Sequence, residues 1–295
     1  MIVDIRAVSG PEFADNASRV LSAAWAPPAL CYSPQYLEWQ LSFPGPCEAP
    51  AVAAFSGKEP VGFAASLHRR VAIAGEPLNA LVVTFVAVVP SHQGRGIVQD
   101  LYAGLLAGIQ RTGFPVITFG RNNTVGQRAI ERAYPAANLP VTAFGEYPGY
   151  ATLPRSSNRD GWRISRDLPA IPREPALASS SPTEHQFEHY LRDPRGRRLW
   201  VYDEGGWAWA TEVEFVSQKG PETVLSLEAV SGVPLRALPN LAWSAGDGRL
   251  VQAPNLVGYN PQELRTLGFR QTTTPWIGYW AGAPSPARAT NLEII

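Results

Sequence analysis

Two glycines one residue apart, in the run Gln93-Gly94-Arg95-Gly96-Ile97-Val98, follow a strongly apolar, β-branched stretch, Leu81–Val89, that stops at Pro90. From about Gly96 to Arg111 the apolar residues Leu101, Leu105, Leu106 and Ile109 recur on one helical face. A strand that turns tightly into a helix through glycines gathers main-chain N–H groups around one point, and the new helix adds its unpaired amides and positive end. Such a turn suits a pyrophosphate held without a metal, and Arg95 can add a charge-assisted contact. No Gly-Lys-Ser/Thr follows and the three-glycine dinucleotide spacing is missing, so neither a Walker loop nor a dinucleotide fingerprint is present. Read alone, the same two glycines are equally compatible with a turn that serves packing.

The elements that would position this turn are legible on both sides of it. Pro11–Ala24 and Gln35–Leu41 have helical spacing. Ala51–Phe55, Val61–Leu67 and Val71–Ala74 read as strands, the first two joined by Ser56-Gly57-Lys58-Glu59-Pro60. After the helix come a strand at Val116–Phe119, a helix at Gly126–Ala133 and a strand at Val141–Phe144. An apolar strand, a helix and a second apolar strand imply a parallel βαβ step beside an antiparallel meander. Beyond residue 183 the order recurs: a helical segment through Phe187–Leu191, strands at Leu199–Tyr202, Trp207–Val213 and Thr223–Val230, a helix at Pro234–Ser244, and a strand at Leu250–Ala253. A short helix and Phe269–Trp280 close the chain. This repeat of element order suggests an internal duplication. Ser156–Asp160 and Ala178–Pro182 have linker composition, which divides the chain into 1–150, a linker at 151–182, and 183–295.

The segment Val88-Val89-Pro90, followed by Gln93 and Gly96, resembles the acetyl-CoA signature of the GNAT N-acetyltransferase superfamily, a Gln/Arg-x-x-Gly-x-Gly/Ala turn after a Val-x-Pro strand end. Val98 stands where that family prefers glycine or alanine. Asn123-Thr124-Val125-Gly126, running on to Tyr134, is similar to the family's Asn-x-x-Ala helix. Leu267-Gly268-Phe269 is similar to its terminal Gly-Phe, and Ser33–Trp39 to its second helix. The second half has no Gln/Arg-x-x-Gly-x-Gly; its equivalent turn is Val230-Ser231-Gly232-Val233-Pro234. The resemblance implies an α/β fold of two GNAT-like domains, each a mixed, mostly antiparallel twisted sheet flanked by helices, the second a degenerate copy. It implies acetyl-CoA as co-substrate, bound by Val86, Val88, Gln93, Gly94, Arg95, Gly96, Ile97, Val98 and Asn123.

Acetyl transfer to an amine needs a base for the ammonium, a donor for the oxyanion and a proton for the leaving thiolate. The strand Leu81–Val89 has no acid, so the candidate bases are His68 and Glu228, with Glu146 a further carboxylate. The family's mid-helix tyrosine position is Ile130 here, which leaves Tyr134, one turn on, as the surrogate acid. His68, beside Arg69 and Arg70, and Glu228, among Leu225, Leu227 and Val230, are also compatible with solvated strand positions.

Composition narrows the partners. Lys+Arg and Asp+Glu are 25 each, which gives no general attraction to nucleic acid or an anionic membrane. No run approaches the ~20 apolar residues of a membrane helix, and no signal peptide is evident at the start, so a cytoplasmic location is expected. Two cysteines, Cys31 and Cys47, without a CxxC pair and with only four histidines, make a metal site unexpected. One disulfide or two inert thiols fit the pair. The expected acceptor is the amine of a small molecule, and the expected assembly a homodimer. The rival readings are a non-catalytic acetyl-CoA binder, an acyl or aminoacyl transferase using a carrier protein or tRNA, and an interaction protein in which the glycines only pack.

Overall fold

The computed structural model describes residues 3–27, 29–153, 161–169, 177–217, 219–241, 250–253, 259–272, 275–284, 286 and 288–289. The first half begins with β1 (Asp4–Ala7), a 3-10 turn at Pro11–Phe13 and α1 (Ala14–Ala24). Next come β2 (Ala29–Leu30) and α2 (Pro34–Leu41), the latter started by Ser33, whose hydroxyl accepts the Tyr36 amide. β3 (Ala51–Ser56), β4 (Glu59–Ile73) and β5 (Glu76–Val88) form the expected antiparallel meander. The stretches expected as separate strands at Val61–Leu67 and Val71–Ala74 are one long strand, because His68, Arg69 and Arg70 continue its ladder. α3 (Ile97–Thr112), β6 (Val116–Arg121), α4 (Val125–Ala136) and β7 (Thr142–Tyr147) complete this half, with β5 and β6 parallel as expected.

The second half holds β8 (Tyr150–Thr152), β9 (Trp162–Ser165), β10 (Leu177–Ser180) and α5 (Glu184–Leu191). β11 (Arg198–Tyr202), β12 (Trp207–Ser217) and β13 (Gly220–Ser231) form its meander. β14 (Val251–Ala253), α6 (Pro261–Thr266), β15 (Arg270–Gln271), β16 (Trp276–Ala281) and β17 (Arg288–Ala289) follow. Where a helix at Pro234–Ser244 was expected, a 3-10 turn at Leu235–Ala237 leads into helical residues 238–241, and the remainder lies outside the described residues.

Two sheets result. One runs β1-β3-β4-β5-β6-β16-β7, and the other β15-β8-β14-β13-β12-β11-β9. The two orders superpose as repeats, with an exchange: β8, which follows β7, inserts between β14 and β15, while β16, which follows β15, inserts between β6 and β7. Each half thus lends one antiparallel strand to the other's sheet. This differs from a simple division at 151–182. Within that stretch β8 and β9 belong to the second sheet, and β10 pairs with the far end of β4, where Ala178–Ser180 face Ile73–Val71. Serine-rich Ala178–Pro182 therefore covers a strand edge rather than spanning a gap, and Ser156–Asp160 lies outside the described residues.

A second sign of the repeat lies between the halves. Trp39 and His189 are each the sixth residue of their helix, α2 and α5. Trp39 Nε1 donates to the His189 carbonyl at 2.8 Å, and His189 Nε2 bonds the Trp39 carbonyl at 2.8 Å, with the rings stacked at 5.2 Å. Tyr36, Trp39 and Phe43 join Phe187, Tyr190, Leu199, Trp207 and Trp209 in one buried cluster, so the halves share a core.

Candidate acyl-CoA site

β5 carries the site because it loses its partners in sequence. Its parallel pairing with β6 ends at Val83 against Thr118. Immediately beyond, Phe63 pairs with Ala87 and Ala65 with Thr84, so Ala64 opposes both Phe85 and Val86. This is a β-bulge, and Phe85 adopts a φ of +57° to make it. The two strands therefore part at the bulge, leaving the β5 backbone from Thr84 onward without a β6 neighbour.

The turn Gln93–Val98 lies at the end of that opening. Gly94 and Gly96 have φ values of +76° and +81°, and a Cβ built on either meets nothing within 4 Å. Gly96 is the N-cap of α3 and offers no side chain to its amides. The first main-chain bonds accepted by Gly96 come from Gln99 and Asp100 at 2.9 and 3.3 Å. Among the described residues, the amides of Gly94, Arg95, Gly96, Ile97 and Val98 have no main-chain acceptor. Gln93 does not face the opening with its amide: Nε2 donates to the Val88 carbonyl at 2.9 Å and so ties the turn to the end of β5. Arg95 is exposed, with Nη2 3.2 Å from the Ser91 carbonyl. Ile97 is buried and Val98 packs partly against the core beneath α3, so the Val98 side chain is drawn toward the sheet. Val86 and Val88 pack on this same core, on the α3 side of the sheet. Asn123, exposed with φ +60°, follows β6; its amide donates to Gln127 Oε1 at 2.7 Å as α4 starts.

The three side chains expected to move protons are not brought together. Tyr134 is fully buried beside Tyr102, rings 6.0 Å apart, in the core between α3, α4 and the sheet. Its hydroxyl lies by Thr118 but outside hydrogen-bond geometry, and burial holds its pKa well above the ordinary tyrosine value. His68 is buried and pairs with Leu81, four residues along β4 from the bulge, which at about 3.3 Å per residue is ~13 Å away. Its Nε2 bonds the Cys47 carbonyl at 2.8 Å, its ring meets Phe114 at 5.7 Å, and burial lowers its pKa. Its environment is the C-terminal end of α3, not the turn that opens it. Glu146 is exposed on β7. Cys31 and Cys47 are both free thiols.

Glu228 is placed in a way the sequence did not disclose. β12 and β13 also form a bulge: Trp209 pairs with Ala229 and Ala210 with Leu227, so Glu228 is the extra residue. The parallel pairing of β13 with β14 ends at Ser226, as that of β5 ends at Val83. In both halves the last paired residue precedes the bulge residue by two, which makes Glu228 the counterpart of Phe85. Its carboxylate is not solvated: Arg195 Nη2 lies 3.2 Å from it, and Arg197 Nη2 is in direct ionic contact. Both arginines also reach Asp193, at 2.8 and 3.2 Å. Burial opposes ionisation of Asp193, but the Arg195 hydrogen bonds and the Arg197 charge prevail and hold its pKa below the usual carboxylate value. The Arg195 guanidinium sits 3.9 Å over the Tyr36 ring, and that of Arg197 lies 5.2 Å from Trp39. Glu228 thus closes a buried four-residue ion network against α2, a poor place for a carboxylate that must take a proton from an incoming amine. The spacing Asp193-x-Arg195-x-Arg197 was the available signal for this network.

The corresponding turn in the second half has no opening. Gly232 has φ +64°, but a Cβ on it meets Gly206 Cα at 3.3 Å, and Val233-Pro234 leads directly into the 3-10 turn.

A meander with a bulged strand, a parallel partner that splays from it and an open glycine turn at a helix start define a GNAT fold. Residues 10–118 match a family model described as an acetyltransferase (GNAT) domain. A putative acetyltransferase from Pyrococcus horikoshii has the same fold, with a TM-score of 0.64 over 99% of this chain and 92% of its own at 16% identity. Saccharomyces cerevisiae N-myristoyltransferase, solved with bound myristoyl-CoA, gives 0.66 over 99% and 81% at 10% identity. A GCN5-related N-acetyltransferase from Kribbella flavida gives 0.53 over 94% and 71% at 17% identity. At these identities the likeness is one of fold. No curated protein sequence matches the chain. Among the described residues no helix is long and apolar enough to cross a membrane.

Proposed function

We propose that this chain transfers an acetyl group from acetyl-CoA to the amine of a small molecule by direct attack in a ternary complex. The observation that carries the proposal is the open pair of positive-φ glycines, with free amides at Gly94–Val98, at the mouth of the split beyond Val83 and Thr118. In this reading those amides and Arg95 hold the pyrophosphate. The pantetheine lies along the unpaired edge of β5 at Val86 and Val88, with Asn123 on the opposite rim. The thioester sits at the bulge, where a β5 amide serves as the oxyanion donor. The second half holds α2 against the acceptor side through the Arg195–Glu228 network, and its corresponding turn at Gly232 is closed by Gly206.

Catalysis then rests on holding amine and thioester together and on the backbone donor, which suffices for large rate gains when attack geometry is met. Tyr134, His68 and Glu228 are left as core and network residues. Release of free CoA from acetyl-CoA across a panel of small primary amines, against a no-amine control, tests the proposal. Amine-dependent release with formation of the acetamide is the expected result. Binding of acetyl-CoA with no release for any amine would instead mark a non-catalytic binder.

A further inference from the structure

Phe85 is the one residue at the bulge whose conformation costs more than its neighbours'. At φ +57° a bulky side chain crowds the backbone, and glycine would occupy the position freely. The chain nevertheless keeps a phenylalanine there, 3% exposed. Strain of this sort persists where the surroundings hold it and the residue serves a task.

The surroundings indicate the task. α3 and its opening turn lie on one face of the sheet, with the core that includes Val88 and Ile97. Phe85 belongs to the core on the other face, with Leu37 of α2 and Leu21 of α1. A thioester reaching through the split from the turn therefore presents its acyl end to the face that carries Phe85. There the Phe85 ring meets Tyr32 edge-on at 5.7 Å and 79°. Tyr32 is braced by Trp25 at 4.9 Å and by Tyr36 at 6.1 Å, and its own carbonyl accepts the Ser18 hydroxyl at 2.6 Å. Behind Tyr36 stands the guanidinium of Arg195. Each of these rings is packed against the next.

We propose that Phe85, backed by Tyr32, is the specificity wall of the acyl subsite and restricts the donor to short acyl groups. The inference rests on the acyl-CoA reading above and adds to it the chain length the site accepts. A longer acyl chain has to displace a ring that is held by its backbone on one side and by Tyr32 on the other, and cores resist such overpacking.

The test is a calorimetric series of free CoA, acetyl-, butyryl-, hexanoyl- and myristoyl-CoA on the parent chain, Phe85→Gly and Tyr32→Ala. Ratios are taken within each protein, so a general loss of affinity cancels. The parent is expected to bind hexanoyl-CoA at least ~10-fold more weakly than acetyl-CoA, and the ratio in Phe85→Gly to fall to within about 3-fold, since overpacking is relieved. Tyr32→Ala, at a half-buried position, should relax the ratio in the same direction and serves if Phe85→Gly does not fold. A parent that takes hexanoyl- or myristoyl-CoA as well as acetyl-CoA overturns the inference, as do variants that keep the parental ratio. If free CoA itself fails to bind the parent, the reading of the glycine turn is what has failed, and the wall falls with it.

Discussion

Glu228→Gln separates an anchor from a base. The network holds two carboxylates and two guanidiniums, with side-chain exposures of 8% for Glu228, 0% for Asp193, 14% for Arg195 and 1% for Arg197. Glutamine keeps the volume and one acceptor but removes a charge, leaving the buried cluster with one uncompensated positive charge and turning an NH2 group toward the guanidiniums. Breaking a buried pair from one side costs about 3–5 kcal/mol, and the retained acceptor places this variant at the low end. At about 2–4 °C per kcal/mol for a chain of this size class, the melting temperature should drop by roughly 6–12 °C. The exposed pair Arg6–Asp4, at 55% and 57% exposure, is the contrast: its loss should be worth at most about 1 kcal/mol. Thermal unfolding followed by circular dichroism at pH 7, with CoA release measured on the same samples well below the transition, reads both quantities. A general base would behave oppositely, losing about 10²–10⁴ in turnover with its stability intact. An unshifted melting temperature accompanied by a turnover loss of that size would refute the placement of Glu228 as an anchor.

Acidification should weaken the fold below neutral pH. Burial lowers the pKa of His68 and of His189 from the ordinary 6.5, so the unfolded chain binds more protons between the folded values and 6.5. Their contribution is complete above that window and lost as the pH falls through it; melting at pH 7.5 and 5.5 should show the loss, with His68→Gln and His189→Gln reducing the slope. Asp193 acts lower: its contribution is present above its ordinary 3.8 and disappears as the pH falls from there through the depressed folded value. Tyr134→Phe removes a buried hydroxyl outside hydrogen-bond geometry and should leave stability and turnover near parental levels, while a loss of ~10²-fold in turnover would restore it as the acid. A fragment ending at residue 150 lacks β16 between β6 and β7 and should aggregate or melt non-cooperatively, and a well-folded, cooperative fragment would contradict the strand exchange.

The local elements of the first half were readable because they follow local rules. Leu81–Val89 is a β-branched run stopped by proline, and the α3 face repeats at helical spacing, so the helix and the end of the strand appear within a residue of where they were expected, while the strand starts five residues earlier, at Glu76, in the less apolar stretch Glu76–Ala80. The glycine turn was legible for the same reason: two positions that need positive φ are written as glycine. Phe85 shows the converse. Its positive φ is imposed by the bulge against Ala64, a non-local pairing, and nothing in a phenylalanine within an apolar run announces it. Ala178–Pro182 read as a linker because serine and proline are common in both linkers and edge strands, and only the exposed edge of β4 decides between them. Glu228 alternates with apolar residues as a solvent-facing strand residue would; the arginines that bury it come from a loop more than thirty residues earlier. The strand exchange is likewise a matter of pairing partners at long range, to which periodicity is blind.

Calorimetric titration of acetyl-CoA into the parent, Gly96→Ala and Gly96→Glu decides whether the amides opening α3 clasp the diphosphate of an acyl-CoA. Both substitutions carry the same left-handed backbone cost of about 1–2 kcal/mol, and only the second sets a carboxylate beside the turn. Saturable one-to-one binding by the parent, retained but weakened in Gly96→Ala and abolished in Gly96→Glu while the fold persists, is the predicted result. Equal affinity in all three, or none in the parent, would contradict it.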